Sequence, residues 1–324
     1  MKKYILILQL LLFAASAYGQ IVRGIILDSE SREPVPFATI YFNGTFAGTS
    51  SDQEGGFQFD VTAYNSMPLT ISSIGFYSYT LRDFSFDGPV VIPLTPKVYE
   101  IGAVEIDGTT AARSRKANLK VFRDQFLGQT PNARKCKILN EEVISFFNDS
   151  NEDTLRAFAM EPIKIYNKAL AYKIIYYLDL FEFNRQTNSL HYSGNILFSE
   201  DDSTYRRSTR NKRKRTYVGS RMHFFRALWA NDLYSTKFTI HNPDGDQLSY
   251  KDIVVQSPMK TSFLKYPESL VIHFAEKWSK INFNSEFIFF ERDGYFDPSD
   301  IGWEGEMCRK RIGDSLPYEY TLPQ

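Results

Sequence analysis

The chain has 324 residues, with 38 basic and 38 acidic side chains, so its net charge is zero. About 305 residues follow an apolar leader, and that length fits two domains better than one. The 27 phenylalanines and 20 tyrosines favour β-rich cores, and the two cysteines allow no more than one disulfide.

The first nineteen residues, MKKYILILQLLLFAASAYG, have the order of a secretory signal peptide. Lys2 and Lys3 precede an apolar run, and small residues stand at Ala17 and Gly19, before Gln20. A membrane anchor is the alternative, but the run is shorter than the ~20 residues that span a bilayer. We therefore expect cleavage after residue 19 and an exported protein, periplasmic or associated with the outer membrane, with no transmembrane segment after cleavage.

Residues 20–107 contain short apolar runs separated by turn signals at roughly ten-residue spacing, which predicts an all-β sandwich. One turn, TSSDQEGG, begins at Thr49 and raises the question of a metal or phosphate loop. A calcium loop counted from Asp52 would need an oxygen ligand where Gly56 stands, and a phosphate loop would need a helix to follow. An alternating stretch from Phe57 to Val61 follows instead, so we predict a hairpin turn without metal.

Several residues of this region occur in the order found in a known family. They are Gly24, Asp28, Pro34, Pro36-Phe37-Ala38, Gly48-Thr49, Asp52, Gly55, Phe57 and Ser73-Ile74-Gly75-Phe76. On these residues, the region of about 21–107 resembles the carboxypeptidase regulatory-like domain, a transthyretin-like β-sandwich of bacterial envelope proteins. The resemblance implies a module without catalytic residues.

The rest of the chain predicts an α+β domain over residues 119–324, after a polar linker at 108–118. Leu119, Phe122 and Phe126 have helical spacing, and a second amphipathic helix begins after Ser220. Long apolar stretches between them predict an antiparallel sheet, with a glycine-interrupted third helix near the C-terminus. This part resembles a C-terminal region of unassigned activity that often accompanies the regulatory-like domain.

The aromatic stretch that begins at Tyr172 is apolar on both sides over its middle, which predicts a central strand covered on both faces. Stacking faces for sugars or lipid are the alternative interpretation. Cys136 and Cys308 lie 172 residues apart, and two free thiols or one disulfide remain open.

His273 and Glu276 imitate the first half of a carboxypeptidase zinc motif, but no histidine follows them. Their segment also has the character of one strand, in which positions three apart point to opposite faces. The other histidines, His191, His223 and His241, share no element at ligand spacing. We therefore expect no metal, no cofactor and no catalytic site residue.

The run Arg206–Arg215 holds seven basic residues and follows Glu200, Asp201 and Asp202. It is interpreted as a solvated loop, and the alternative is a surface for an anionic partner such as lipid head groups, lipopolysaccharide or a polyanionic glycan. Nucleic acid is not expected, because the leader directs the chain out of the cytoplasm.

These observations favour a non-catalytic exported envelope protein. In this hypothesis the regulatory-like sandwich is a docking or spacing module for a C-terminal binding domain, with an envelope protein or glycan as partner. The alternative is a hydrolase of envelope or dietary glycan or peptide, with its site on residues 115–324.

Overall fold

The structure is a computed structural model that describes residues 20–64, 67–82, 88–97, 108–149, 153–257 and 261–323. The predicted signal peptide and the predicted domain boundary at residue 107 lie outside these ranges. The chain divides into two compact units. One comprises Met1–Phe42 and Ala47–Pro96, and the other comprises Asn43–Phe46 and Lys97–Gln324.

The first unit is a β-sandwich, as predicted. Its strands are β1 (Ile21–Asp28), β2 (Thr39–Phe42), β3 (Gly48–Ser50), β4 (Gly56–Asp60), β5 (Leu69–Ser72), β6 (Tyr79–Leu81) and β7 (Val90–Leu94). One sheet has the order β4-β1-β7, with β1 parallel to β7, and the other has the order β3-β2-β5-β6. Val22, Ile26, Ile40 and Ile71 are fully buried in its core, which their alternation along the strands explains.

The turn at Asp52 is present, but the predicted hairpin is wrong. Strand β3 pairs with β2 and strand β4 with β1, so the turn connects two different sheets. The Asp52 carboxylate accepts hydrogen bonds from the backbone N–H groups of Glu54 at 3.0 Å and Gly56 at 2.7 Å. Gly55 has φ +74° and a Cβ there would lie 2.5 Å from a backbone oxygen, so only glycine fits. The carboxylate thus organises its own turn.

The second unit has three antiparallel sheets, which confirms the α+β class. The six-stranded sheet contains β8 (Cys136–Ile138), β9 (Ile144–Asp149), β10 (Thr154–Ala159), β11 (Ile163–Asn167), β12 (Tyr172–Asn184) and β13 (Ser189–Glu200). The five-stranded sheet contains β14 (Phe238–His241), β15 (Gln247–Leu248), β18 (Leu270–Phe274), β19 (Lys277–Phe283) and β21 (Ile301–Gly305). The three-stranded sheet contains β16 (Val254–Gln256), β17 (Ser262–Leu264) and β20 (Ile288–Phe290).

Strand orders are β8-β11-β12-β10-β9 with β13 on β12, then β15-β14-β18-β19-β21, and β16-β17-β20. The helices are α1 (Gly108–Phe126), α2 (Arg207–Tyr217), α3 (Arg221–Trp229), α4 (Tyr250–Ile253) and α5 (Glu306–Arg309). Among the described residues, no helix is long and apolar enough to cross a membrane.

Two predicted helices are confirmed and two other predictions are corrected. Helix α3 begins after Ser220, whose hydroxyl accepts a hydrogen bond from the His223 N–H at 3.2 Å. Residues 108–118, predicted as linker, are the first half of α1, because residues such as Lys116 and Ala117 favour helix. The predicted C-terminal helix is only the four-residue α5, because the preceding residues pair with β19 as strand β21.

Helix α1 packs on the six-stranded sheet through its predicted apolar stripe. The ring of Phe122 lies 4.7 Å from that of Phe181, and the ring of Phe126 lies 4.8 Å from that of Tyr176. Helix α3 and the two smaller sheets enclose a separate core that includes Phe225.

Strand β12 is central in its sheet, but it is not covered on both faces as predicted. Ile175 and Leu180 are 36% and 41% exposed. The register with β13 shifts between Leu178 and Leu180, so that Phe181 takes the buried face. A Cβ at Gly194 would lie 2.3 Å from a β12 carbonyl oxygen, which explains the glycine there.

Candidate functional site

The basic run is a helix, and its interpretation as a solvated loop is wrong. Arginine and lysine favour helix, and the run forms α2 almost entirely. Thr209, Arg213, Thr216 and Tyr217 form its buried face. Their spacing of three and four residues is that of one helix face, which a count of charges does not reveal.

Arg213 anchors this helix to the six-stranded sheet. Its Nε donates to the Leu170 carbonyl at 2.8 Å, and a terminal nitrogen donates to the Ala171 carbonyl at 3.1 Å. The other terminal nitrogen lies 2.9 Å from a Glu200 carboxylate oxygen, and the guanidinium stacks 3.8 Å from the centre of the Tyr172 ring. The Arg213 side chain is only 6% exposed, so it stabilises the fold and is not accessible to a binding partner.

The turn before α2 is held by Asp201. Its carboxylate accepts hydrogen bonds from Ser203 at 2.6 Å, Thr204 at 2.7 Å and Tyr166 at 2.9 Å. These hydrogen bonds, that of Ser203 first, lower the pKa of Asp201 to about 2. The carboxylate is therefore charged at neutral pH and fixes the residues that lead into the helix.

The opposite face of α2 is an exposed cationic surface, made of Arg206, Arg207, Arg210, Lys214 and Arg215. Among the described residues, none of these five forms an ion pair. The first turn of the helix also lacks an acidic residue. Arg206 and Arg207 at the N-terminal end of α2 oppose the helix dipole and cost folding free energy, whereas Lys214 and Arg215 in the last turn are favoured by it.

Two half-buried cations of the second unit also bind backbone carbonyls. Arg226 donates to the carbonyl oxygens of Asp293 at 2.7 Å, Tyr318 at 2.8 Å and Tyr320 at 2.7 Å. The Lys310 ammonium lies within 3.4 Å of three carbonyl oxygens, one in the last turn of α2 and two in the turn between α2 and α3. These bonds fix the C-terminal segment.

His223 lies close to Arg226 and Lys310. Burial first, then Lys310 and Arg226, lower its pKa to about 4. Its Nδ1 accepts a hydrogen bond from the Gly219 N–H at 3.1 Å, which also favours the neutral ring. His223 is therefore a neutral structural residue.

A polar cleft of about 210 Å³ lies at the C-terminal end of α1. It is lined by Asp124, Gln125, Gly128, Gln129, Thr130, Asn188, Arg309 and Arg311. Arg311 already donates to both the backbone and the side-chain oxygen of Gln125. The volume is below the roughly 300–1,000 Å³ of most small-molecule sites.

The residues that imitate a zinc motif do not lie on one strand. His273 is on β18, whereas Glu276 lies in the two-residue turn before β19, so the segment is a hairpin. His191 is on β13. The structure brings together one pair of histidines that sequence spacing did not predict. The rings of His241 and His273 lie 5.0 Å apart on neighbouring strands. No local signal could have found a pair separated by 32 residues.

Both cysteines are free thiols and neither is fully exposed. Burial first, then the Asp314 carboxylate, raise the pKa of Cys136 to about 12. Such a thiol stays protonated and unreactive at neutral pH.

Residues 22–82 match the family model of the CarboxypepD_reg-like domain. The first unit therefore contains a CarboxypepD_reg-like domain. Among curated proteins, none matches the chain. A solved structure from Bacteroides fragilis NCTC 9343, described provisionally as membrane-associated and of unknown function, is 10% identical with a TM-score of 0.18. That similarity covers 88% of this chain and 92% of the other.

Proposed function

We propose that the chain is a non-catalytic, exported protein of the cell envelope. In this proposal the CarboxypepD_reg-like domain is a docking or spacing module, and the second unit is the binding domain. The binding domain contacts an anionic lipid surface through the exposed cationic face of α2. Export is supported by Lys2, Lys3 and the apolar run that follows them.

The observation that carries the proposal is the combination of unpaired exposed cations with a buried anchor on one helix. Each Lys or Arg near an anionic membrane surface contributes about 1 kcal/mol to binding. Five such residues would hold the protein peripherally. The other face of α2, which includes Arg213, is buried in the protein. The helix therefore has no free apolar face to insert into a membrane, and the contact would be electrostatic.

Co-sedimentation with vesicles tests this proposal. The mature chain is mixed with vesicles of phosphatidylglycerol and phosphatidylcholine in equal parts, and with pure phosphatidylcholine. We expect binding only to the anionic vesicles, and its loss in R207E/R210E/K214E. The matched control is R113E/K116E/K120E, which makes the same charge change at exposed positions of α1 and should still bind.

Equal loss in both triple variants would show a response to net charge and would overturn the assignment to α2. Binding to a soluble polyanionic glycan but not to vesicles would replace lipid by glycan as the partner. The hydrolase alternative predicts instead that incubation with glycan or peptide releases soluble products.

A further inference from the structure

Two histidines meet on the solvent-facing side of the five-stranded sheet. Strand β14 runs antiparallel to β18, with Ile240 opposite Ile272 on the buried face. The intervening positions point the other way, and His241 and His273 lie there, diagonally across the two strands. Diagonal neighbours on one face are within reach of long or aromatic side chains.

The separation of the two rings fits a shared metal ion. Their centres lie 5.0 Å apart, with the planes at 86°. Imidazole nitrogens bind zinc at about 2.0–2.1 Å with tetrahedral angles, and this geometry places the centres of two ligating rings about 5 Å apart. The separation of the ring centres is therefore compatible with one nitrogen from each ring on the same ion.

One ring nitrogen is without a partner at this position. Nδ1 of His241 is buried and has no hydrogen-bond partner among the described residues. Buried polar atoms in native proteins are nearly always satisfied, so an unpaired one calls for an explanation such as an ion. His273 is exposed, which gives an ion access from solvent.

The surrounding side chains tolerate a cation. Lys280 is opposite Val271 on the same face, and its ammonium lies 3.8 Å from the Glu304 carboxylate, which offsets its charge. Trp278 is directly opposite His273 and is 51% exposed. It provides a fluorescent reporter beside the pair.

We propose that His241 and His273 together bind one divalent transition-metal ion, copper(II), nickel(II) or zinc(II). These ions favour imidazole ligands, and copper(II) is expected to bind most tightly of the three. Among the described residues, no group of three His, Cys, Asp or Glu side chains converges. Water would therefore complete the coordination. The site is independent of the proposed binding through α2.

A copper titration of the mature chain, carrying no histidine tag, tests the site. Copper(II) chloride should quench tryptophan fluorescence saturably at one equivalent, and most of that change should be absent in W278F. H273A should weaken binding at least about tenfold, the lower end of what even an indirect partner of a metal ligand contributes. H241Q should do the same, with folding checked by circular dichroism, whereas H191A, at an exposed histidine on β13, should bind as the unchanged protein does.

Electron paramagnetic resonance of the copper-loaded protein should show coupling to two nitrogens, and to one in H273A. Unsaturable quenching in the unchanged protein would overturn the proposal, as would unaltered affinity in both H273A and H241Q. Loss of binding in H191A would place the copper elsewhere.

Discussion

Arg210 and Arg213 lie three residues apart on α2, but the first side chain is exposed and the second is buried. The guanidinium of Arg213 is buried, hydrogen-bonded to two carbonyl oxygens and paired with Glu200. Arg210 is exposed and forms no ion pair with any described residue. The difference teaches that position on α2 decides the role of an arginine: the buried one stabilises the fold through backbone carbonyls, and the exposed one remains available to a partner.

The comparison holds beyond α2. Arg226 and Lys310 also bind carbonyl oxygens, as Arg213 does. The number of basic residues in Arg206–Arg215 therefore overstates the surface available to an anion. Substitutions on the two faces of α2 should have different consequences, and the following predictions start with the largest effect.

R213A should lower the free energy of unfolding by about 2–5 kcal/mol, because it leaves the buried carbonyl oxygens of Leu170 and Ala171 without a hydrogen-bond donor. Urea unfolding measured by circular dichroism gives the value. R215A, on the exposed face of the same helix, is the control and should change stability by less than about 0.5 kcal/mol. An equal loss of unfolding free energy in R213A and R215A would contradict the difference between the buried and the exposed face of α2.

His223 should make stability depend on pH, because burial first, and then the charges of Lys310 and Arg226, disfavour its protonated form. Its pKa is about 4 when folded, against about 6.5 when unfolded. Between these values the unfolded chain binds a proton that the folded protein does not. The free energy of unfolding should therefore be complete above pH 6.5 and fall by about 2–3 kcal/mol as the pH approaches 4.

H223Q cannot be protonated and should remove this part of the pH dependence. Urea unfolding at several pH values compares the two proteins. Identical slopes between pH 6.5 and 4 would mean that burial and the neighbouring cations do not lower the pKa of His223.

R207E should raise the free energy of unfolding by about 0.3–1 kcal/mol, because it places a negative charge at the N-terminal end of α2. The same variant should bind anionic vesicles more weakly. R215E puts the same charge in the last turn and should lower stability slightly. Destabilisation by R207E would contradict the view that the cations at the N-terminal end of α2 are maintained at a cost to folding.

Local patterns in the sequence predicted much of the fold. The strand spacing and glycine positions indicated the sandwich, and the spacing of Phe122 and Phe126 indicated α1. The partition into three sheets was not predictable, because strand pairing such as that of β14 with β18 is decided by residues far apart in the chain. The shift in β12 occurs opposite Gly194, which lies on the partner strand and not in β12 itself.

The candidate surface was predicted only in part. The charge of the run Arg206–Arg215 indicated a possible surface for an anion, but the acidic residues before it, which partly neutralise the run, favoured the interpretation as a solvated loop. The interpretation missed the burial of Arg213, because the carbonyls that bind it come from Leu170 and Ala171, more than forty residues earlier. The pairing of His241 with His273 depends on the same kind of long-range contact.

The central claim, that α2 binds an anionic surface through one face, is tested most directly by single substitutions in a vesicle-binding titration. R207A, R210A and K214A should each weaken binding to phosphatidylglycerol vesicles about fivefold, equivalent to about 1 kcal/mol per charge. R113A on α1 should leave binding unchanged, and raising the salt concentration should weaken binding of the unchanged protein. Affinities of the three α2 variants equal to that of the unchanged protein would contradict the account.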